Sequence, residues 1–216
     1  MERPILFSTP MVQAILQGRK TQTRRVIKEA KGWDYNWHVA KIKEEHKDGI
    51  NRYEMRCGSQ YSTKIFKCPY GKVGDILWVK ETSIVNKNAC RRFFVADGYK
   101  KSISEETGRP FDYEKVVPSI FMPKLAARIW LEITNIRVER LQDISEEDAR
   151  AEGAYKVYED ENGNFYHPEA ETARLVGDHG DYKTGFKAIW QSINGKERWI
   201  SNPWVWVVEF KKVNKD

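Results

Sequence analysis

The chain has 216 residues, 40% apolar and 31% charged, with 8 Trp, 10 Tyr and 9 Phe. A chain of this length buries about 70% of its unfolded surface, so the composition excludes a disordered polymer and a miniprotein dependent on disulfide staples. Its net charge of +6 is uneven: Arg137 to Asp181 holds 5 Lys/Arg against 13 Asp/Glu, and the rest holds 32 against 18, a basic remainder suited to an anionic partner and an acidic stretch that repels one.

The longest apolar runs, Trp204 to Val208 and Ile76 to Val79, fall far short of the ~20 residues that cross a bilayer, so no membrane span is expected. Pro4, Ser8, Thr9 and Pro10 interrupt the first ten residues and no small-residue cleavage site follows, which points away from a secretory leader and toward the cytoplasm. Cys57, Cys68 and Cys90 are odd in number, and the first two are separated by ten residues with no Cys-x-x-Cys. With four scattered histidines they predict neither a disulfide framework nor a zinc site, and no metal is expected.

The first predicted element is a short helix: Thr9 as cap, Pro10 at the first helical position, an apolar stripe of Met11, Ala14, Ile15 and Leu16, and Gly18 as the stop. The segment Gly18 to Arg25 then reads as a loop that packs four cations and two hydroxyls into eight residues. Residues 29 to 68 show no clear period and predict an irregular excursion with a short hairpin around Arg52 to Met55. Turn chemistry from Pro69 to Asp75 leads into a buried strand, Ile76 to Val79, leaving Lys80 and Glu81 at its end. Residues 86 to 118 form a second irregular stretch, and Ala127 to Val138 alternates as a strand with Ile129, Leu131 and Ile133 on one face.

Ser145 caps a helix with an acidic first turn that stops at Gly153, placing Glu152 in its last turn, where a carboxylate opposes the helix dipole. Residues 155 to 183 are acidic, aromatic and turn-rich; Phe186, Ile189, Trp190 and Ile193 mark another amphipathic helix. The chain closes on a period-two strand, Trp204 to Lys211, fit for the middle of a sheet or barrel. Internal repeats and low-complexity tracts are absent from the sequence.

Dinucleotide, P-loop, zincin and serine-hydrolase signatures are also missing, which leaves the basic cluster as the unusual feature. The series Gly18-Arg19-Lys20-Thr21-Gln22-Thr23-Arg24-Arg25, then Lys72-Val73-Gly74-Asp75, Leu141 through Ala149, Asn202-Pro203-Trp204 and the terminal Trp-Val-Val-Glu-Phe resembles the ASCH domain, a branch of the PUA-like superfamily, and the phage or prophage type most closely. That resemblance implies an α+β fold: a PUA-like mixed and antiparallel β-barrel with short peripheral helices. It also implies a single domain over 1–216, with insertions at about 29–68, 86–118 and 155–183.

Some small ASCH proteins are amidohydrolases that remove acyl groups from the exocyclic amine of cytidine with a lysine, a threonine and a glutamate. By resemblance these fall on Lys20, Thr23 and Glu152, with Glu147 as the fallback acid. Arg25 or a backbone amide is a candidate for the oxyanion, Trp78 and Trp204 for an aromatic wall, and Glu81 for a pocket contact; core packing is the plain alternative for the two tryptophans and a surface ion pair with Lys80 for Glu81. No cofactor is implied.

The chemistry requires a nucleophile, a base and a proton donor for the departing amine. Thr23 attacks or positions the attacking water, and Lys20 acts as base only if its pKa falls from ~10.4 toward neutrality through burial and neighbouring cations. Glu152 orients the lysine or shuttles its proton. The expected partner is an acylated cytidine nucleoside. An RNA-binding or ribonuclease module is the other reading, in which Lys20 is charged, accessible and salt-sensitive.

Overall fold

The structure, a computed structural model, describes residues 1–28, 37–41, 52–57, 60–105, 107–166 and 180–215. In chain order its elements are β1 (Glu2–Leu6), α1 (Thr9–Leu16), β2 (Gln22–Val26), β3 (Trp37–Lys41), β4 (Arg52–Cys57), β5 (Gln60–Lys67), β6 (Ile76–Lys80), β7 (Ser83–Asn86), β8 (Arg91–Phe94), β9 (Glu114–Val117), β10 (Trp130–Arg140), α2 (Glu146–Ala151), β11 (Tyr158–Glu159), β12 (Phe165–Tyr166), α3 (Tyr182–Asn194), α4 (Lys196–Ile200) and β13 (Trp204–Val213). This is a mixed α+β chain of multi-stranded sheets and short helices. It divides into two compact units: Met1–Gly18, Asp75–Glu132 and Lys211–Asp216 in the first, Arg19–Gly74 and Ile133–Phe210 in the second.

In the first unit β1 runs parallel to β6, with Pro4 in register with Trp78. The sequence pattern concealed this strand because of its proline, but β1 is an edge strand, where a residue without an N–H costs no ladder bond. Strand β6 also pairs antiparallel with the start of β10, Trp130 opposite Trp78. Helix α1 starts at Thr9, so Ser8 occupies the cap position that Thr9 was expected to fill. It buries Val12, Ala14 and Ile15 while Leu16 is exposed. Residues 86 to 118 are less irregular than expected: β7 lies between β8 and β9 in an antiparallel sheet whose four-residue strands are too short to show a period. The Glu114 carboxylate ties that region together by accepting from the Tyr99 hydroxyl (2.7 Å) and the Ser102 amide (2.8 Å).

In the second unit β13 has β10 on one side and β2 on the other. Its Val205 and Val207 are fully buried in a core with Leu141, Ile144, Ala149, Phe186 and Trp190, which seats α2 and α3 on one face of the sheet. Each buried aliphatic side chain there stabilises the fold by about 1.5–3 kcal/mol. The Ser145 hydroxyl caps α2 by accepting from the Asp148 amide (3.1 Å), as the sequence predicted. Asp181 caps α3 from Thr184 N at 2.5 Å. Gly185 in α3 is required by a close approach, because a Cβ there would lie 1.8 Å from the Tyr155 carbonyl oxygen.

Strands β3, β4 and β5 form an antiparallel sheet, so Arg52 to Met55 lies in β4, an arm of antiparallel pairs more extensive than the short hairpin expected around it. The rest of the expected 29–68 excursion lies outside the described residues, as does 167–179 of the third; 158–166 of the latter forms the β11–β12 hairpin. No helix among the described residues is long and apolar enough to cross a membrane.

Candidate active site

The cationic segment after α1 is not the loop its composition suggested. Gly18 turns the chain at φ +74°, Lys20 forms an isolated antiparallel bridge with Glu152, and β2 begins at Gln22. The Thr21 amide donates to Ala151 O (2.8 Å) and its carbonyl accepts from the Phe210 amide (2.8 Å), so the segment is clamped between the end of α2 and β13. Gln22, Thr23 and Arg24 are all buried. Hydrogen-bond pairing with Val207, Val208 and Glu209, not apolar patterning, makes this polar run a strand.

Strand alternation sorts its side chains. Gln22, Arg24 and Val26 face α2: Gln22 Nε2 donates to Asp148 O at 2.9 Å, Arg24 reaches the Asp148 carboxylate, and Val26 packs on the core beneath α2 and α3. Thr23 and Arg25 belong to the opposite face, in register with Val208 and Trp206.

Lys20 lies at the start of this arrangement, its side chain 1% exposed. Its Nζ donates to Glu152 Oε2 at 2.6 Å and to the Glu152 carbonyl at 2.8 Å. Glu152 is brought there because it terminates α2, immediately before Gly153 at φ +84°. Burial holds the Lys20 pKa below the ordinary lysine value; the Glu152 carboxylate pulls it back up, and Arg25 and Arg24 push with burial.

A larger ion network surrounds the pair. Arg24, with a fully buried side chain, donates to Glu152 Oε1 (3.4 Å), to Asp148 Oδ2 (2.8 Å) and to Glu139. Arg137 bonds Asp148 (2.5 Å), Glu139 (3.3 Å) and Glu209. The Asp148 carboxyl is desolvated, yet hydrogen bonds from Arg24 and Arg137 outweigh that and hold its pKa below the usual range.

Of the residues proposed from sequence, Lys20 and Glu152 are brought together, and Thr23 is buried one strand face away, outside their hydrogen bonds. Glu147 is exposed on α2, so Glu152 is the carboxylate at the lysine. Arg25 is half-buried. Trp204 is half-buried at the start of β13, with the Arg140 guanidinium 4.5 Å from its ring centroid. In the first unit, Trp78 is a core ring at 8% exposure, and the buried Glu81 carboxylate is held by two bonds from Arg128 (2.9 and 3.0 Å). Lys80, the expected ion-pair partner of Glu81, donates instead to the Ile120 carbonyl.

Sequence reasoning passed over Arg24, Asp148, Glu139 and Arg137 as a connected group. One signal was present: Asp148 and Glu152 are four residues apart on a helix and so share a face. A buried amine with a depressed pKa, bonded to a carboxylate and beside a hydroxyl-bearing strand, is equipped to accept and return a proton. Among the described residues no three His, Cys, Asp or Glu side chains gather as a metal site. Set against family models, curated proteins and solved structures, the chain matches none of them.

Proposed function

We propose that the chain is an amidohydrolase of ASCH type on a PUA-like barrel, removing the acyl group from the exocyclic amine of an acylated cytidine nucleoside. The observation that carries this reading is Lys20: burial favours its neutral form, and Glu152 holds the amine by two hydrogen bonds. Because Thr23 faces the other side of β2, neutral Lys20 takes a proton through an intervening water, either from the Thr23 hydroxyl or from an attacking water positioned by it, and the resulting oxygen nucleophile adds to the acyl carbon. Arg25, on the strand face of Thr23, stabilises the oxyanion. As the C–N bond breaks, the Lys20 ammonium returns its proton to the leaving amine while Glu152 keeps it oriented. With Thr23 as nucleophile a water then cleaves the ester, so either route consumes one water and yields a carboxylic acid and the free cytidine.

For the wall against the base, Trp204 is the weaker for having Arg140 over its ring, and Trp78 is a core ring of the first unit and is not carried forward. The excess of cations outside Arg137 to Asp181 favours a second reading, an RNA-binding module. A phosphate contact needs an accessible cation, however, and Lys20 at 2% exposure is not one.

Purified protein incubated with a panel of acylated cytidines is expected to release the acid without added metal, and Lys20→Ala is expected to abolish release while retaining the circular dichroism of the fold. Undiminished turnover in that variant overturns the mechanism. An inert wild type that retards RNA in a low-salt gel would favour the second reading.

A further inference from the structure

Arg24 has no exposed side-chain surface and touches three carboxylates, from Glu152, Asp148 and Glu139. Charges alternate in sign from Lys20 through Glu152 and Arg24 to the Asp148 and Glu139 carboxylates, then through Arg137 to Glu209. We infer that Arg24 is a positioning residue: by holding the second oxygen of Glu152, it keeps that carboxylate aimed at Lys20 whether or not the lysine carries its proton. The functional meaning rests on the amidohydrolase reading, while the physical content concerns only the proton on Lys20.

A buried Lys–Glu pair without a third charge is a poor base, because releasing the proton strands an uncompensated carboxylate away from water. Arg24 removes that obstacle by remaining as a counter-ion. A guanidinium suits the task because it does not deprotonate in proteins, and its planar fork reaches several oxygens at once. Among the described residues, the charged groups that act on Lys20 include Glu152 from the end of α2 and Arg24 and Arg25 from β2. Arg19, next along the chain, is directed to the Gly153 carbonyl (3.0 Å) and lies 4.3 Å from the Tyr155 ring centroid. Asp148 and Glu139 act on Lys20 through Arg24: each draws the guanidinium away from Glu152, and Arg137 and Glu209 complete their charge balance.

Two substitutions therefore have opposite signs. Arg24→Gln deletes a cation and leaves Lys20 as the sole partner of Glu152, so the amine holds its proton more tightly. Asp148→Asn deletes a competing anion and frees Arg24 for Glu152, so the amine releases its proton more easily. A charge at this range moves a neighbouring pKa by about one unit or more.

The test is an NMR titration of the lysine side chains in 13C,15N-labelled full-length protein, with the Lys20 signal assigned by its loss in Lys20→Met. The Lys20 midpoint should move to higher pH in Arg24→Gln and to lower pH in Asp148→Asn, and Arg24→Lys should bring it back toward wild type. In a protein that hydrolyses acylcytidine, the acid limb of kcat/KM should move with the midpoint, which a merely structural role would not produce. Should Arg24→Gln fail to fold, Asp148→Asn and Arg24→Lys decide. A midpoint that stays fixed, or that moves the same way in Arg24→Gln and Asp148→Asn, overturns the inference. Opposed shifts in a protein inert on acylcytidine would uphold it while removing the amidohydrolase reading; hydrolysis with a fixed midpoint would do the reverse.

Discussion

Replacing Glu152 by glutamine removes one charge and almost no volume from a buried ion pair. In the wild type the two side chains are 1% and 5% exposed and their charged atoms are 2.6 Å apart. The glutamine amide oxygen and the backbone carbonyl of residue 152, now 2.8 Å from Nζ, still offer acceptors, so what is lost is chiefly the counter-charge of a desolvated ammonium. If Lys20 stayed charged, the cost would be about 3–5 kcal/mol, a large share of a total stability of about 5–15 kcal/mol. Lys20 has an alternative, which is to give up its proton. Burial and the Arg25 and Arg24 charges already lower its pKa, and Glu152 opposes them. Without Glu152 the folded-state pKa falls further below the unfolded value.

The sign of the pH dependence follows. Between the two pKa values the unfolded chain binds more protons than the folded one, so stability rises with pH, by up to about 1.4 kcal/mol per unit, throughout that window. The window opens at lower pH in the variant, so the gap between variant and wild type should narrow as pH rises from the variant's folded-state pKa to that of the wild type and stay constant above it. Urea denaturation of both proteins at a series of pH values measures this directly. A variant as stable as the wild type across the whole pH series, or a gap that narrows nowhere in it, would refute the argument that Glu152 compensates a desolvated amine.

Gly185→Ala should destabilise the protein by about 3 kcal/mol or more, read as a fall in urea midpoint, although alanine is the better helix former by about 1 kcal/mol. The cause is the backbone oxygen of Tyr155, 1.8 Å from the new Cβ, so a neutral or stabilising result would refute the close approach. In the first unit, Arg128→Met should cost about 3 kcal/mol in the same assay, because it strands the Glu81 carboxylate, 1% exposed and bonded twice to Arg128. Glu81→Gln combined with Arg128→Met should recover part of that loss, and no recovery would show that the ion pair is not the source.

Elements with their own local signature were legible in the sequence. Ser145 with three acids after it marked the start of α2; Ile76 to Val79 and Trp204 to Lys211 read as strands because buried β-branched and aromatic runs suit a sheet interior. Lys20 and Glu152 were singled out by the resemblance to the ASCH domain; the local signals beside it, a cationic cluster around Lys20 and the unfavourable end of a helix dipole at Glu152, were slight.

Elements that depend on a distant partner were hidden. β1 carries a proline and exists because β6 offers a parallel edge; β2 is polar but for Val26 and exists because β13 pairs with it. The same holds for the site: nothing local in Arg24 distinguishes it from Arg25, yet one residue of strand phase sends Arg24 into the carboxylates of α2 and β10 and Arg25 to the other face. Composition and periodicity thus determined which residues could be buried and which segments could be strand or helix. The tertiary fold alone decided which charges share a desolvated space, because that depends on contacts between residues more than a hundred positions apart, such as Lys20 and Glu152.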